Sequence, residues 1–110
     1  MRTLTAGSSS IAAINNHDYH PFSDFLLHDM GSLGDNIGDN GTAGVTEMRT
    51  APLWGLRLMD THDQLLHDGR ATSIADAILR HDGQALAARN AFAALGNTQQ
   101  NNVVAFLNTL

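Results

Sequence analysis

The stretch from Gly31 to Gly44 is the feature that most restricts how this chain can fold. Five of its fourteen residues are glycine, and most of the residues between them are small or polar, Asp and Asn among them. Glycine loses more backbone entropy on folding than any other residue, so helices and strands are disfavoured here. The sequence therefore predicts a long Gly/Asn/Asp-rich loop over residues 31–46.

Three helices are predicted after this loop. The first begins at the N-cap Ser73, with Asp76 in a capping-box position, and ends at Gly83. The second runs from about residue 84 to residue 95, and the residues expected to face inward are Leu86, Ala87, Phe92 and Leu95. The third begins at Thr98, and its apolar residues recur every three or four positions: Val103, Phe106, Leu107 and Leu110. The predicted fold class is mainly α.

The composition excludes several classes of function. None of the 110 residues is cysteine, so disulfides, thiol catalysis and thioether attachment of a c-type haem are excluded. The formal charge of −5 argues against binding to nucleic-acid phosphates. No apolar run approaches the roughly 20 residues that a bilayer requires. The N-terminus also lacks the continuous apolar stretch of a convincing signal peptide.

Six histidines bring metal binding into consideration: His17, His20, His28, His62, His67 and His81. His17 and His20, together with Asp18, have the ligand types of a zinc site, but their spacing is not specific. His-Glu-x-x-His does not occur, so a zinc hydrolase has no support. A small His-rich metal-binding protein that uses His17, His20 and His28 is one alternative.

Four strings are not explained by composition: HPFSDFLLHDMG from residue 20, RTAPLWGL from residue 49, LHDGRATSIADAILRH from residue 66 and VAFLNTL from residue 104. In this order and with these spacings they resemble the C-terminal haem domain of bacterial di-haem c-type cytochrome oxidoreductases. These are the thiol oxidoreductases related to bacterial cytochrome c peroxidases and to MauG. The likeness covers residues 20–110 and implies a cytochrome c-like haem domain.

The resemblance implies an iron ligand in this chain. In the relatives, a residue that supplies or closes the sixth coordination site follows the His-Asp-Gly string by fourteen positions. Counted from His67, that position is His81. Imidazole and thioether sulphur both bind haem iron, so His28 and Met30 are the alternative ligands. A purely structural role of His81, at the negative end of a helix dipole, is the competing interpretation.

The resemblance also implies residues that surround the haem. Arg49 and Arg70 are candidates for binding the haem propionates, because a guanidinium grips a carboxylate through two hydrogen bonds. Ordinary surface ion pairs are the alternative for both arginines. Trp54 and His67 are assigned to the same cofactor-binding pocket, and no catalytic residue is assigned.

The chain departs from the family in lacking the Cys-x-x-Cys-His motif. We therefore expect residues 20–110 to be the C-terminal portion of a haem domain, and residues 1–19 to be a disordered or frayed lead-in. The predicted function is the haem-binding, electron-transfer portion of a peroxidase-like oxidoreductase, inactive alone. Its expected partners are the missing N-terminal haem-bearing segment or chain and an electron-donor protein, in the periplasm. The other alternative is a non-enzymatic helical interaction remnant of a split cytochrome.

Overall fold

The computed structural model describes residues 3–38, 41–59 and 64–110. These residues form four strands: β1 (Leu4–Thr5), β2 (Asp18–Tyr19), β3 (Leu27–Asp29) and β4 (Glu47–Arg49). They also form four α-helices: α1 (Leu56–Met59), α2 (Ile74–Arg80), α3 (Leu86–Ala93) and α4 (Asn97–Leu107). Short 3-10 turns cover Ala12–Ile14, Gly31–Leu33 and Gly83–Ala85. Within the described ranges, no helix has the length and apolar character to cross a membrane.

Two small sheets show that the predicted mainly α fold is wrong. Strand β1 pairs with β2, and β3 pairs with β4, both antiparallel. Of the described residues, 38% are helical and 12% are in strands, so the fold mixes α and β elements. Strands of two or three residues are too short to show the apolar and polar alternation from which strands are predicted. Each strand also finds its partner only across a long connection.

The Gly-rich loop lies between β3 and β4 and closes a hairpin. Beyond the paired strands, the Met30 N–H donates to the carbonyl of Thr46 at 2.8 Å. Further into the loop, the Asn36 N–H donates to the carbonyl of Val45 at 3.2 Å. A Cβ on Gly34 would lie 2.5 Å from the same Val45 oxygen, so the close approach needs glycine. Residues 39 and 40 of the loop lie outside the described residues.

Helices α2 and α4 begin at recognisable caps. Ser73 accepts the Asp76 N–H at 3.1 Å through its hydroxyl, as the capping-box pattern predicts. Gly96 is the N-cap of α4, and Gln99 accepts its N–H at 3.2 Å. The expected cap, Thr98, lies inside the first turn of that helix.

The described part of the chain has a small core. Leu65, Ala71 and Ile74 form its buried centre, and partly buried residues of α1, α2 and α4 pack against it. Leu65 and Ala71 also pair as an isolated antiparallel bridge, which places residues 67–70 in a tight turn. On α3, Phe92 is buried as expected, whereas Leu86 and Ala87 are exposed. The expectation for Leu86 and Ala87 is therefore wrong, since α3 buries a narrower face than its apolar residues suggest.

Candidate functional site

The segment after β3 and the segment after α2 are in close contact. Gly83 has a φ of +56°, and a Cβ there would lie only 2.2 Å from the carbonyl oxygen of Asp29. Asp82 accepts two hydrogen bonds from Ser32, at 3.3 Å from its N–H and at 2.9 Å from its hydroxyl. The hydroxyl bond is the main cause that lowers the pKa of Asp82. This junction fixes the histidine of β3 relative to the histidine that follows α2.

His81 is the C-cap of α2, and its ring bonds back to the helix. Nδ1 lies 2.7 Å from the carbonyl oxygen of Ala77, one of the carbonyls at the helix end. Because a carbonyl can only accept, Nδ1 carries a proton, and Nε2 keeps its lone pair when the ring is neutral. Histidines that bind metals commonly donate one ring N–H in this way and use the other nitrogen for the metal.

A shallow depression of about 150 Å³ lies beside the His81 ring. Residues of α2, α3 and the 3-10 turn between them line it: Ile78, His81, Ala85, Ala88 and Arg89. The lining combines an apolar surface with one imidazole and one guanidinium. These are the groups needed by a flat apolar ligand that carries a metal ion and a carboxylate.

His28 has both ring nitrogens engaged. Nε2 lies 2.7 Å from a carboxylate oxygen of Asp24, and Nδ1 lies 3.1 Å from the side-chain oxygen of Gln84. The backbone N–H of Asp29 donates to that same Gln84 oxygen at 3.2 Å, which fixes the orientation of the amide. Both ring nitrogens therefore face an acceptor oxygen, which favours the imidazolium form of the ring.

The electrostatics of this pair agree with the hydrogen bonds. The bond to Asp24, followed by the bond to Gln84, raises the pKa of His28 above its usual value. The pKa of Asp24 falls to about 2, chiefly because it accepts the Leu26 backbone N–H and then because it binds His28. An imidazolium has no lone pair for a metal, so this geometry favours His81 over His28 as a ligand.

Met30, the other alternative ligand, is half-buried directly after β3. It precedes the 3-10 turn Gly31–Leu33, and its backbone N–H is bonded to Thr46. Met30 does not line the depression beside His81.

His67 and Arg70 lie in the turn between Leu65 and Ala71. Arg70 binds the Asp68 carboxylate through Nε and Nη2, and His67 Nε2 lies 3.9 Å from the same carboxylate. Partial burial would raise the pKa of Asp68, but the bonds to Arg70 lower it overall. The Arg70 guanidinium is thus already held by an ion pair within its own turn.

Neither Arg49 nor Trp54 lines the depression beside His81. Arg49 is exposed on β4, opposite Leu27, and makes no ion pair with a described residue. Trp54 packs on Tyr19, with ring centroids 5.4 Å apart, and lines a separate apolar groove with His17.

The three histidines of the zinc alternative have different surroundings. His17 lines the Trp54 groove, His20 Nδ1 lies 3.3 Å from the Thr3 hydroxyl, and His28 is bonded to Asp24. Across residues 3–38, 41–59 and 64–110, no group of three or more His, Asp or Glu side chains is placed to hold a metal ion. His62 lies outside the described residues.

The site residues that the sequence interpretation missed are Arg89 and Gln84. Arg89 follows Ala85 by four positions, so a helical wheel could have shown that the two residues share a face. Gln84 carries no local signal, because its partner His28 is 56 positions away.

A histidine that leaves one ring nitrogen free for a metal, beside an apolar surface and an arginine, is consistent with a haem protein. A sequence model of the family described as "Di-haem oxidoreductase, putative peroxidase" matches residues 2–110. The chain therefore belongs to this family of peroxidase-like oxidoreductases, whose cofactor is haem. No curated protein and no solved structure matches the chain significantly.

Proposed function

We propose that this chain is the haem-binding, electron-transferring part of a periplasmic di-haem oxidoreductase, and that His81 is its axial iron ligand. The observation that carries the proposal is the 2.7 Å bond from His81 Nδ1 to the Ala77 carbonyl. This bond fixes the tautomer and leaves Nε2 as the nitrogen with a lone pair. The same bond serves the helix end, so the capping role of His81 and iron binding are compatible.

The lining of the depression fits a haem. Ile78, Ala85 and Ala88 offer apolar contact to a macrocycle, and His81 offers a strong iron ligand. When bound, haem supplies the redox-active iron, and His81 helps to set its potential through axial ligation. The part of the chain next to the iron would thus position the cofactor and tune its reduction potential.

This chain would supply only one wall of the haem site. Pockets that enclose a small molecule usually measure about 300–1,000 Å³, more than the depression of about 150 Å³ beside His81. The chain also has no thiol for covalent attachment. We propose that a Cys-x-x-Cys-His-bearing segment or chain supplies the remaining walls, the thioether bonds and the proximal ligand.

The exposed surface supports a partner of this kind. The accessible surface is 7383 Å², whereas a folded monomer of this mass exposes about 5,900 Å². Large apolar side chains are exposed on several elements, among them Leu26 at 60%, Leu79 at 46% and Phe106 at 53%. Extensive apolar surface of this kind is typical of an interaction site.

Titration of the purified chain with ferric haem tests the ligand assignment. We expect the wild-type chain to give the visible spectrum of imidazole-ligated haem, and His81→Ala to bind haem at least about tenfold more weakly and lose that spectrum. His28→Ala should keep it, because His28 is held as an imidazolium by Asp24. His20→Ala, which removes another exposed histidine, is the matched control for non-specific binding.

Two results would refute the assignment. One is loss of the ligated spectrum in His28→Ala while His81→Ala behaves as wild type. The other is an equal loss in His20→Ala and His81→Ala, which would mean adventitious binding by surface histidines. Circular dichroism of each variant separates loss of the ligand from loss of the fold.

A further inference from the structure

The arginines of this chain differ in how their charge is satisfied. Arg70 is bound to Asp68, and Arg80 Nε donates to Asp76 at 2.9 Å. Arg89 instead donates from Nε and from Nη2 to the side-chain oxygen of Asn90, both at 3.2 Å. That oxygen belongs to a neutral amide, and no described carboxylate lies within ion-pair distance of Arg89.

Of the arginines that the structure describes, Arg89 lines the depression beside His81. It is half-buried on α3, and the apolar side chains of Ile78, Ala85 and Ala88 complete the lining. A ligand in this depression therefore meets an imidazole, an apolar surface and a guanidinium that donates to a neutral amide.

We propose that Arg89 is a haem-positioning residue, whose guanidinium binds a propionate of the haem that takes His81 as its iron ligand. This rests on the haem-binding function proposed above. A carboxylate carries the opposite charge and can accept two parallel hydrogen bonds from a guanidinium, which a neutral amide oxygen cannot, so a propionate displaces the Asn90 oxygen.

The Asp82 carboxylate could compete with a propionate for Arg89, but it leaves the Arg89 guanidinium available to a ligand. Attraction to Arg89 is the weakest of the causes that lower the pKa of Asp82. Bonds from Ser32 and from the Gly83 N–H contribute more, so this carboxylate is already committed to the junction with the loop. Arg70, by contrast, would have to break its ion pair with Asp68 before it could bind a propionate.

The test compares ferric haem with its dimethyl ester, in which both carboxylates are blocked. We expect the wild-type chain to bind haem about fivefold more tightly than the ester, since a partly exposed ion pair contributes at most about 1 kcal/mol, which is about fivefold in Kd. Arg89→Gln should reduce that ratio to about one and keep the His81-ligated spectrum. Arg89→Lys, which keeps the charge but loses the two-pronged donor, should retain part of the preference.

Arg80→Gln is the matched control, because Arg80 is exposed on α2 and bound to Asp76. It should leave the ratio unchanged. If Arg89→Gln keeps the full preference for haem over its ester while His81 ligation persists, the Arg89 assignment is refuted and the proposed function stands. If His81→Ala has no effect on either ligand's spectrum, both proposals are refuted. Circular dichroism of Arg89→Gln shows whether the fold is kept. If the fold is lost, the ratio of haem to ester affinity is taken from Arg89→Lys.

Discussion

Gly83 gives the sharpest test of the junction that holds the candidate site together. Its φ of +56° is strained for any residue with a side chain. A Cβ at this position would also lie 2.2 Å from the Asp29 carbonyl oxygen, 2.8 Å from the Asp29 carbonyl carbon and 2.8 Å from the Gly31 nitrogen. All three are backbone atoms, so rotation of a side chain cannot relieve the clash. Gly83→Ala must therefore move β3 and the following turn away from α2.

The matched control is Gly55→Ala. Gly55 also has a positive φ, +78°, but a Cβ there would meet no atom within 4 Å. The left-handed conformation alone costs an alanine about 1–2 kcal/mol. Both substitutions restrict the unfolded chain equally, so that contribution cancels in the comparison. The backbone displacement at Gly83 adds about 1–3 kcal/mol, and we expect Gly83→Ala to lower the free energy of unfolding by about 2–5 kcal/mol in all.

Urea unfolding, followed by far-UV circular dichroism and by Trp54 fluorescence, measures this difference. A difference of about 2 kcal/mol between the two variants corresponds to a shift of about 1 M in the urea midpoint. We also expect faster hydrogen exchange at the Met30 amide in Gly83→Ala, because the bond from that amide to Thr46 extends the displaced strand pair. Equal urea midpoints and equal Met30 protection in Gly83→Ala and Gly55→Ala would refute the close junction.

Three other predictions follow from the helix cap, the charged pair and the composition. Ser73→Ala should lower the free energy of unfolding by about 1 kcal/mol, because the first turn of α2 loses the bond to the Asp76 N–H; a urea midpoint equal to that of wild type would contradict the cap. Since the folded pKa of His28 is raised, its stabilising contribution is complete below about pH 6.5 and is lost as the pH rises through that raised value. The pKa of Asp24 is lowered to about 2, so its contribution is present above its usual value of 3.8 and is lost as the pH falls towards 2. The urea midpoint of the wild type should therefore fall more between pH 6 and pH 9 than that of Asp24→Asn, and equal falls would exclude the pair as the cause. Expression with a haem-maturation system should give the bare polypeptide mass, since no thiol is present, and an acid-stable adduct of one haem would contradict this.

The local features of this protein were predictable from the sequence. The N-cap at Ser73, with Asp76 three positions later, correctly placed the start of α2, because both partners of the cap lie in one turn. The Gly-rich loop was identified from its composition alone. The family was indicated by the order of four short strings, and the match of the family model to residues 2–110 confirms it.

The α3 and α4 boundaries show where local patterns reached their limit. The predicted second helix begins as the 3-10 turn Gly83–Ala85, since Gly83 must adopt a positive φ beside Asp29. The third helix has Gly96 as its N-cap in place of Thr98, because the Gln99 side chain can accept the Gly96 N–H. In both cases a contact that the spacing of apolar residues does not reveal decided where the helix begins.

The tertiary structure alone decided how the candidate ligands differ. The sequence ranks His28 and His81 only through a resemblance, because each is a histidine followed by aspartate. In the folded chain, both ring nitrogens of His28 are engaged, one by Asp24 and the other by Gln84, 56 positions away, whereas Nδ1 of His81 bonds to Ala77 within its own helix. The pairing of β3 with β4 across the Gly-rich loop arises in the same way. Each depends on contacts between segments that are remote in sequence, and a local pattern of residues carries no record of such contacts.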